Sequence, residues 1–241
     1  MKLRYPTNYI GITKGYKTKK YPTHSAIDLG WNASKGFGPH QSVYSPADGE
    51  VISIRDGRNN TLVPGDSGNY VTVRHVCGYE TRVCHLQKGS IIVKKGDRVR
   101  QGAELALMGN SGYCGVSRGC HVHYIVWKDG SRVNPMRHTY VYPNQVVADS
   151  TKREYPNLLY YTEPKPETNT YVRIDAKNGV WARKGIGFSY PKYKAIPYGT
   201  ECLLVKRDAG EANGYKWDEI VYAGEMVYVP NKWNTYFTKE D

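Results

Sequence analysis

Three short stretches of this 241-residue sequence carry side chains that can do chemistry: His24-Ser25-Ala26-Ile27-Asp28, Cys84-His85-Leu86 and His121-Val122-His123. Side chains alternate faces along a strand, so His121 and His123 point the same way, about 6.6 Å apart. His123 can then bind a metal ion while His121 leans over a water held beside it. On the preceding strand-like run, Tyr79, Thr81, Val83 and His85 share a face, which brings His85 to the same cluster. Val122, Tyr124 and Val126 turn the other way, into a core. His24 and Asp28 would lie about 13 Å apart in extended chain, too far for one ion with ligand distances of about 2.1 Å. A helix would bring them together, but Pro22 and Gly30 bracket too little chain for a stable one. The segment must therefore bend for both residues to be ligands.

Two imidazoles and a carboxylate, from His24, Asp28 and His123, leave a fourth tetrahedral position for water. That is the pattern of a catalytic zinc site rather than a structural one, with one Zn2+ per chain. Such an ion acidifies water towards neutrality and polarises a carbonyl. The sequence has no H-E-x-x-H, so no glutamate is placed as the base. Proton handling falls to His85 and His121, without a choice between them. His40, His75 and His138 read as ordinary surface or core histidines.

The five cysteines, Cys77, Cys84, Cys114, Cys120 and Cys202, lack C-x-x-C spacing and read as free thiols rather than structural zinc ligands. Only Cys114 and Cys120 are close enough in sequence to staple a loop. A cysteine peptidase using Cys84 or Cys120 beside a histidine is set aside, since neighbours in a strand face opposite ways and Cys84 is badly placed to pair with His85.

The elements that must position these groups are strands. Runs such as Gly49 to Ile54, Asn69 to Arg74, Tyr79 to Leu86 and His121 to Trp127 are β-branched and aromatic, and turn residues bound them. This predicts an all-β chain with antiparallel sheets and little helix. From about residue 143 the alternation stops, and Pro143, Pro156, Pro164 and Pro166 appear among polar residues. The expected organisation is a first domain over 1–142, a proline-stiffened linker over 143–168 and a small β-barrel over 169–241.

Net charge is +12, from 34 Lys+Arg against 22 Asp+Glu, and residues 1–150 hold 20 and 10 of these. A basic excess of this kind attracts polyanions, whether nucleic acid, anionic lipid or wall teichoic acid. No nucleic-acid-binding module is recognisable, which argues against a nucleic-acid partner. No apolar run is long enough to insert in a membrane, and the N-terminal residues lack the apolar core of a signal peptide.

With these residues in view, the stretch from about Ile12 to Pro135 resembles the lysostaphin-type (LytM-like) zinc peptidases of bacterial cell-wall turnover. The resemblance extends to Tyr44-Ser45-Pro46-Ala47-Asp48-Gly49-Glu50-Val51, Gly68-Asn69-Tyr70-Val71, Val93 to Gly102, and Val133-Asn134-Pro135. It implies a mostly antiparallel fold of the duplicated hybrid motif type, zinc on His24, Asp28 and His123, and His85 and His121 acting on the water and the transition state. The implied substrate is peptidoglycan, cut at peptide cross-links or stem peptides. Two departures stand out: Ala26 replaces a usual Gly, and the loop from Tyr113 to Cys120 is longer than usual and has Cys120 where Pro is common. Alanine at a bend needing positive φ would cost about 1 kcal/mol.

Residues 171–237 are similar to bacterial SH3-like wall-binding domains, with Trp181, Trp217 and Tyr228 as aromatic platforms for the polymer. The two-module arrangement resembles a phage endolysin, a monomer made in the host cytoplasm and acting on the bacterial wall after release, with peptidoglycan and teichoic acid as its partners. The alternative is an inactive homologue that only binds wall or activates another enzyme. Such a degenerate chain would be expected to have lost ligands.

Overall fold

A computed structural model describes residues 1–114, 119–162 and 170–238 of the chain. The chain divides into two compact units, Lys2–Tyr161 and the residues from Thr162 onward. Both are built almost entirely of strands, and the expectation of antiparallel all-β architecture holds.

The first unit is organised around a nine-stranded sheet. Its main strands are β1 (Tyr9–Lys14), β2 (Ile27–Gly30), β3 (Gly49–Arg55), β4 (Asn69–His75), β5 (Tyr79–Leu86) and β6 (Val122–Lys128). Their order across the sheet is β1-β2-β6-β5-β4-β3, antiparallel throughout. On one face, Val51, Val71, Val73, Val83, Val122, Tyr124 and Val126 join Leu3, Tyr5, Ile10, Leu105 and Met108 in the main core. The opposite face carries a smaller apolar cluster of Ala26, Cys84 and Ile125, flanked by Tyr70 and Trp127. Alternation along β6 therefore sends Val122, Tyr124 and Val126 to the core and His123 and Ile125 to the other side.

His75, at the end of β4, is buried at 6% exposure. It is held between the Asp48 carbonyl, 2.9 Å from Nδ1, and the Thr81 hydroxyl, 2.8 Å from Nε2. Burial pushes its pKa down from 6.5 to about 4, against the opposing pull of the Asp48 carbonyl. The folded protein thus keeps this ring neutral over a range where the unfolded chain protonates it. His75 stabilises the fold fully above pH 6.5, and that contribution is lost as pH falls from 6.5 towards 4. The loss amounts to ~3 kcal/mol at most. Urea unfolding of metal-free protein at neutral and mildly acidic pH should therefore show a steeper loss of stability for wild type than for His75→Gln. Equal slopes would contradict this role.

The proline-bearing segment corrects the expected linker. Residues 143–161 belong to the first unit: Val146–Val147 pairs in parallel with β1, and Asp149–Glu154 forms a short helix. Gln145 donates through Nε2 to the carbonyls of Tyr5 and Thr7, and the Thr151 hydroxyl accepts from the Ile12 N–H at 2.8 Å. The segment is anchored by polar side chains and two-residue strands, which leave no apolar alternation to read. Pro164 and Pro166 lie outside the described residues.

The second unit is a seven-stranded antiparallel sheet. Its strands are β7 (Thr170–Ile174), β8 (Val180–Arg183), β9 (Lys192–Ile196), β10 (Glu201–Ala212), β11 (Tyr215–Tyr222), β12 (Glu225–Pro230) and β13 (Asn234–Thr238), ordered β9-β8-β12-β11-β10-β7-β13. Val172, Ile174, Val180, Ile196, Leu204, Ile220, Val227 and Val229 form its core. The fully buried Asp218 carboxylate accepts from the Asp208 N–H, the Asn234 amide and the Tyr236 hydroxyl, tying the β10–β11 hairpin to β13.

One of the three aromatics expected as platforms sits differently. Trp217 is 0% exposed, its Nε1–H donates to the Ala212 carbonyl at 3.1 Å, and Phe188 packs against it in a T-shaped pair. It is a core residue with no face free for a ligand. Tyr228 is half-buried and donates its hydroxyl to Glu219 at 2.8 Å. Trp181 is 46% exposed, with the Lys192 ammonium 4.7 Å from its ring centre.

Candidate metal and catalytic centre

Strand register creates the centre. His123 on β6 lies directly opposite Asp28 on β2, so the two side chains form a cross-strand pair. On its other flank His123 faces Cys84 of β5. His24 precedes β2 and reaches the same spot because the chain turns at Pro22 and Thr23 and bends at Ala26. Backbone bonds from Lys17 N to the His24 carbonyl and from His24 N to the Tyr21 carbonyl fix that turn. The sharp change of direction needed to join His24 to Asp28 is present. Ala26 makes it without a positive φ, and its methyl is buried against Cys84 and Ile125, so the expected backbone cost does not arise.

The three side chains converge on one point. Asp28 Oδ1 lies 2.7 Å from His123 Nδ1 and 3.1 Å from His24 Nε2, and these two nitrogens are 3.2 Å apart. A tetrahedral ion with ligands at about 2.1 Å needs them about 3.4 Å apart, so the triangle fits a small divalent cation with little opening. The donor set of two imidazoles and one carboxylate suits such an ion. His24 also carries the usual outer support of a ligand ring, since its Nδ1–H donates to the Gly15 carbonyl at 3.0 Å. Burial opposes ionisation of Asp28, which is 8% exposed, yet hydrogen bonds from the His123 and His24 rings outweigh it. Its carboxyl is held well below the usual carboxylate range.

His85 and His121 stand beside this triangle, their ring centres 4.7 Å apart, and the His85 and His123 centres are 5.8 Å apart. Each donates Nδ1–H to a backbone carbonyl, His85 to Ser111 at 2.7 Å and His121 to Gly119 at 3.0 Å. Both rings therefore keep an Nε2 lone pair available as a proton acceptor. Burial, reinforced by neighbouring His121, pushes the His85 pKa down to about 4 and keeps the ring neutral.

The route by which His85 reaches the centre differs from simple alternation. Val83 and Leu86 both face the main core, and Cys84 faces the site. Continued alternation would have buried the imidazole beside Val83. Instead His85 has φ +62° and occupies a bulge, where Asn69 pairs with Leu86 and Tyr70 with Cys84. A non-glycine residue in this conformation costs about 1 kcal/mol or more and marks a functional position.

Two Ser-Gly turns hold the bulge; of their residues the sequence singles out only Gly68, through the resemblance, and not Ser67, Ser111 or Gly112. The His85 N–H donates to the Ser67 carbonyl at 3.1 Å, and its ring donates to the Ser111 carbonyl. Gly68 and Gly112 follow these serines, both at positive φ, and interlock: a Cβ on Gly112 would lie 2.2 Å from Gly68 N. The recurrence of Asp66-Ser67-Gly68 as Asn110-Ser111-Gly112 is the signal that could have exposed them. Gly112→Ala should destabilise the first unit by about 3 kcal/mol, lowering Tm by about 10 °C, and should slow catalysis by shifting the Ser111 carbonyl. Gly36→Ala, at positive φ but in open space, should lose only about 1 kcal/mol. Similar losses for the two variants would refute the interlock.

On the same sheet face, Arg82 lies over the rings of Tyr70 (4.5 Å) and Trp127 (5.3 Å), and Arg132 over Trp127 (5.4 Å). This floor continues from the histidines along the strands. All five cysteines are free thiols, so no disulfide staples Cys114 to Cys120.

Residues 23–135 match Peptidase family M23, a span that includes all five centre residues. Over that span the first unit is similar to M23 peptidases. Among curated proteins, the chain is 38% identical over 120 residues to peptidoglycan DD-endopeptidase ShyA of Vibrio cholerae, covering 50% of this chain and 24% of that protein. It is 39% identical over 105 residues to an uncharacterized metalloprotease of Buchnera aphidicola, covering 42% of this chain and 27% of that one. A solved zinc-containing peptidase from Vibrio cholerae is 31% identical with a TM-score of 0.44, covering 56% of this chain and 40% of that chain. The chain spans about a quarter of the length of the curated relatives it matches.

Proposed function

We propose that this chain is a zinc-dependent endopeptidase that cleaves peptide cross-links or stem peptides of bacterial peptidoglycan. The observation that carries the reading is the convergence of His24 Nε2, Asp28 Oδ1 and His123 Nδ1 within 3.2 Å, with two free imidazole lone pairs alongside. Zn2+ held by these three residues would supply Lewis acidity and a water made acidic near neutral pH. His85 and His121, whose Nδ1 protons are committed to backbone carbonyls, accept a proton at Nε2 and return it to the leaving amine. The cationic and aromatic floor of Tyr70, Arg82, Trp127 and Arg132 orients an extended peptide against them.

In this reading the second unit is an SH3-like module that tethers the enzyme to its insoluble polymer and raises its local concentration there. Trp181, exposed beside Lys192, is its best-placed aromatic contact. The two units together suit a lytic enzyme of the endolysin type, acting as a monomer on the host wall, and the +12 charge suits a wall bearing teichoic acid. The test is hydrolysis of purified peptidoglycan with chelator and with zinc restored, and mass spectrometry of the fragments. Zinc-restored release of new peptide amino termini is expected. Chelator-insensitive release, or fragments cut only in the glycan, would overturn the proposal.

A further inference from the structure

A second cluster of metal-binding donors lies beside the first. The ligand atoms of His85, Cys114 and His121 all lie within 4.8 Å of one another. We propose that these three residues form a second cation site, selective for thiophilic divalent ions, whose occupancy disables the proton-transferring pair. The inhibitory consequence rests on the peptidase reading above, while the binding itself does not.

Several features favour a site over a chance meeting. Both imidazoles donate Nδ1–H to backbone carbonyls, of Ser111 and Gly119, so both aim an Nε2 lone pair with the orientation typical of metal-bound histidines. Cys114 is anchored to the same framework, its thiol 3.4 Å from the Ser111 carbonyl that also holds His85. A single carbonyl thus positions two of the three donors. A tetrahedral ion with nitrogen at about 2.1 Å and sulfur at about 2.3 Å needs its ligands roughly 3.4 to 3.6 Å apart. From separations of at most 4.8 Å, closing takes no more than about 1.4 Å, within the reach of side-chain rotation.

The donor chemistry decides which ion. One thiolate and two imidazoles select Zn2+ and Cd2+ over Mg2+ and Ca2+, which take oxygen ligands. The first centre, with a carboxylate and no sulfur, is the harder of the two. On binding, the Cys114 S–H bond breaks, its proton leaves to solvent and a sulfur–metal bond forms, with no change of oxidation state. His85 and His121 contribute their Nε2 lone pairs and keep their Nδ1 protons. Those lone pairs are the ones the proposed chemistry uses, so an ion here removes both proton acceptors at once.

The experiment is a Cd2+ titration of the full chain already loaded with one equivalent of Zn2+. A second equivalent should bind with thiolate-to-cadmium charge-transfer absorption, and peptide hydrolysis should fall as it fills. Cys114→Ser should abolish the absorption, raise the inhibitory concentration by about tenfold or more, and leave the rate at one equivalent of Zn2+ unchanged. Cys120→Ser should keep both the absorption and the inhibition. In His123→Ala, which lacks the first site, the absorption should persist, so the binding arm stands even if no hydrolysis is found. Should Cys114→Ser fail to fold, loss of the second equivalent in His121→Ala supports the site and its retention refutes it. Saturation of wild type at one ion, or absorption that survives Cys114→Ser, would overturn the proposal.

Discussion

Asp28→Asn protein should purify without its metal and hydrolyse peptidoglycan at least about 10^3-fold more slowly than wild type. Removing the ion forfeits several kcal/mol of charge stabilisation in the transition state, and each ~1.4 kcal/mol is a tenfold change in rate. The amide keeps the shape of the carboxylate but not its charge, and Asp28 is the only anion in the triangle formed with His24 and His123. Asp28 is buried, and its carboxylate hydrogen-bonds with the His123 and His24 rings. His123→Ala should behave alike, because it removes the cross-strand partner of Asp28. Metal analysis together with peptide-release rates checks both variants. Full metal content in Asp28→Asn that survives a further Cys114→Ser substitution would show that the ion does not bind at the triangle.

Replacing His85 separates chemistry from metal binding. His85→Asn should keep one zinc per chain while the rate falls by about 10^2- to 10^4-fold, the usual worth of a positioned acid–base group. Asparagine is chosen because it tolerates positive φ, so the bulge at +62° survives the substitution. Its short amide cannot place an acceptor where the imidazole Nε2 lies. His121→Ala should also keep the metal and lose rate, since its ring is fixed by Gly119 rather than by the metal ligands. A His85→Asn enzyme within tenfold of wild type and fully metal-loaded would exclude this ring from proton transfer.

These two expectations draw on residues that the sequence exposes unequally. The H-x-H spacing places His121 and His123 on one face by strand geometry alone, and both meet at the centre. The four-residue gap from His24 to Asp28 demands a bend, and the turn at Pro22 and Thr23 provides it. His85 belongs to the centre for a reason alternation could not supply. A positive φ and two interlocked Ser-Gly turns swing it away from the Val83 side, and such a bulge leaves no trace in a period-two pattern. Cys114 looked like half of a loop staple and is instead a thiol beside two imidazoles, a placement set by the same Ser111 turn.

The segment from 143 to 161 was illegible for a related reason. Gln145 and Thr151 dock it through hydrogen bonds to backbone groups of residues 5, 7 and 12, and polar anchoring of that kind has no hydrophobic period. Trp217 shows the converse limit. Composition marks an aromatic as a candidate platform, but only packing reveals that its indole N–H is satisfied internally by Ala212.

The most direct test of the metal centre is anomalous diffraction at the zinc edge from crystals of the full chain grown with one equivalent of Zn2+. A single peak within about 2.2 Å of His24 Nε2, Asp28 Oδ1 and His123 Nδ1 is the expected result. A peak bound only by His85, Cys114 and His121, or no peak at the triangle, would contradict the account.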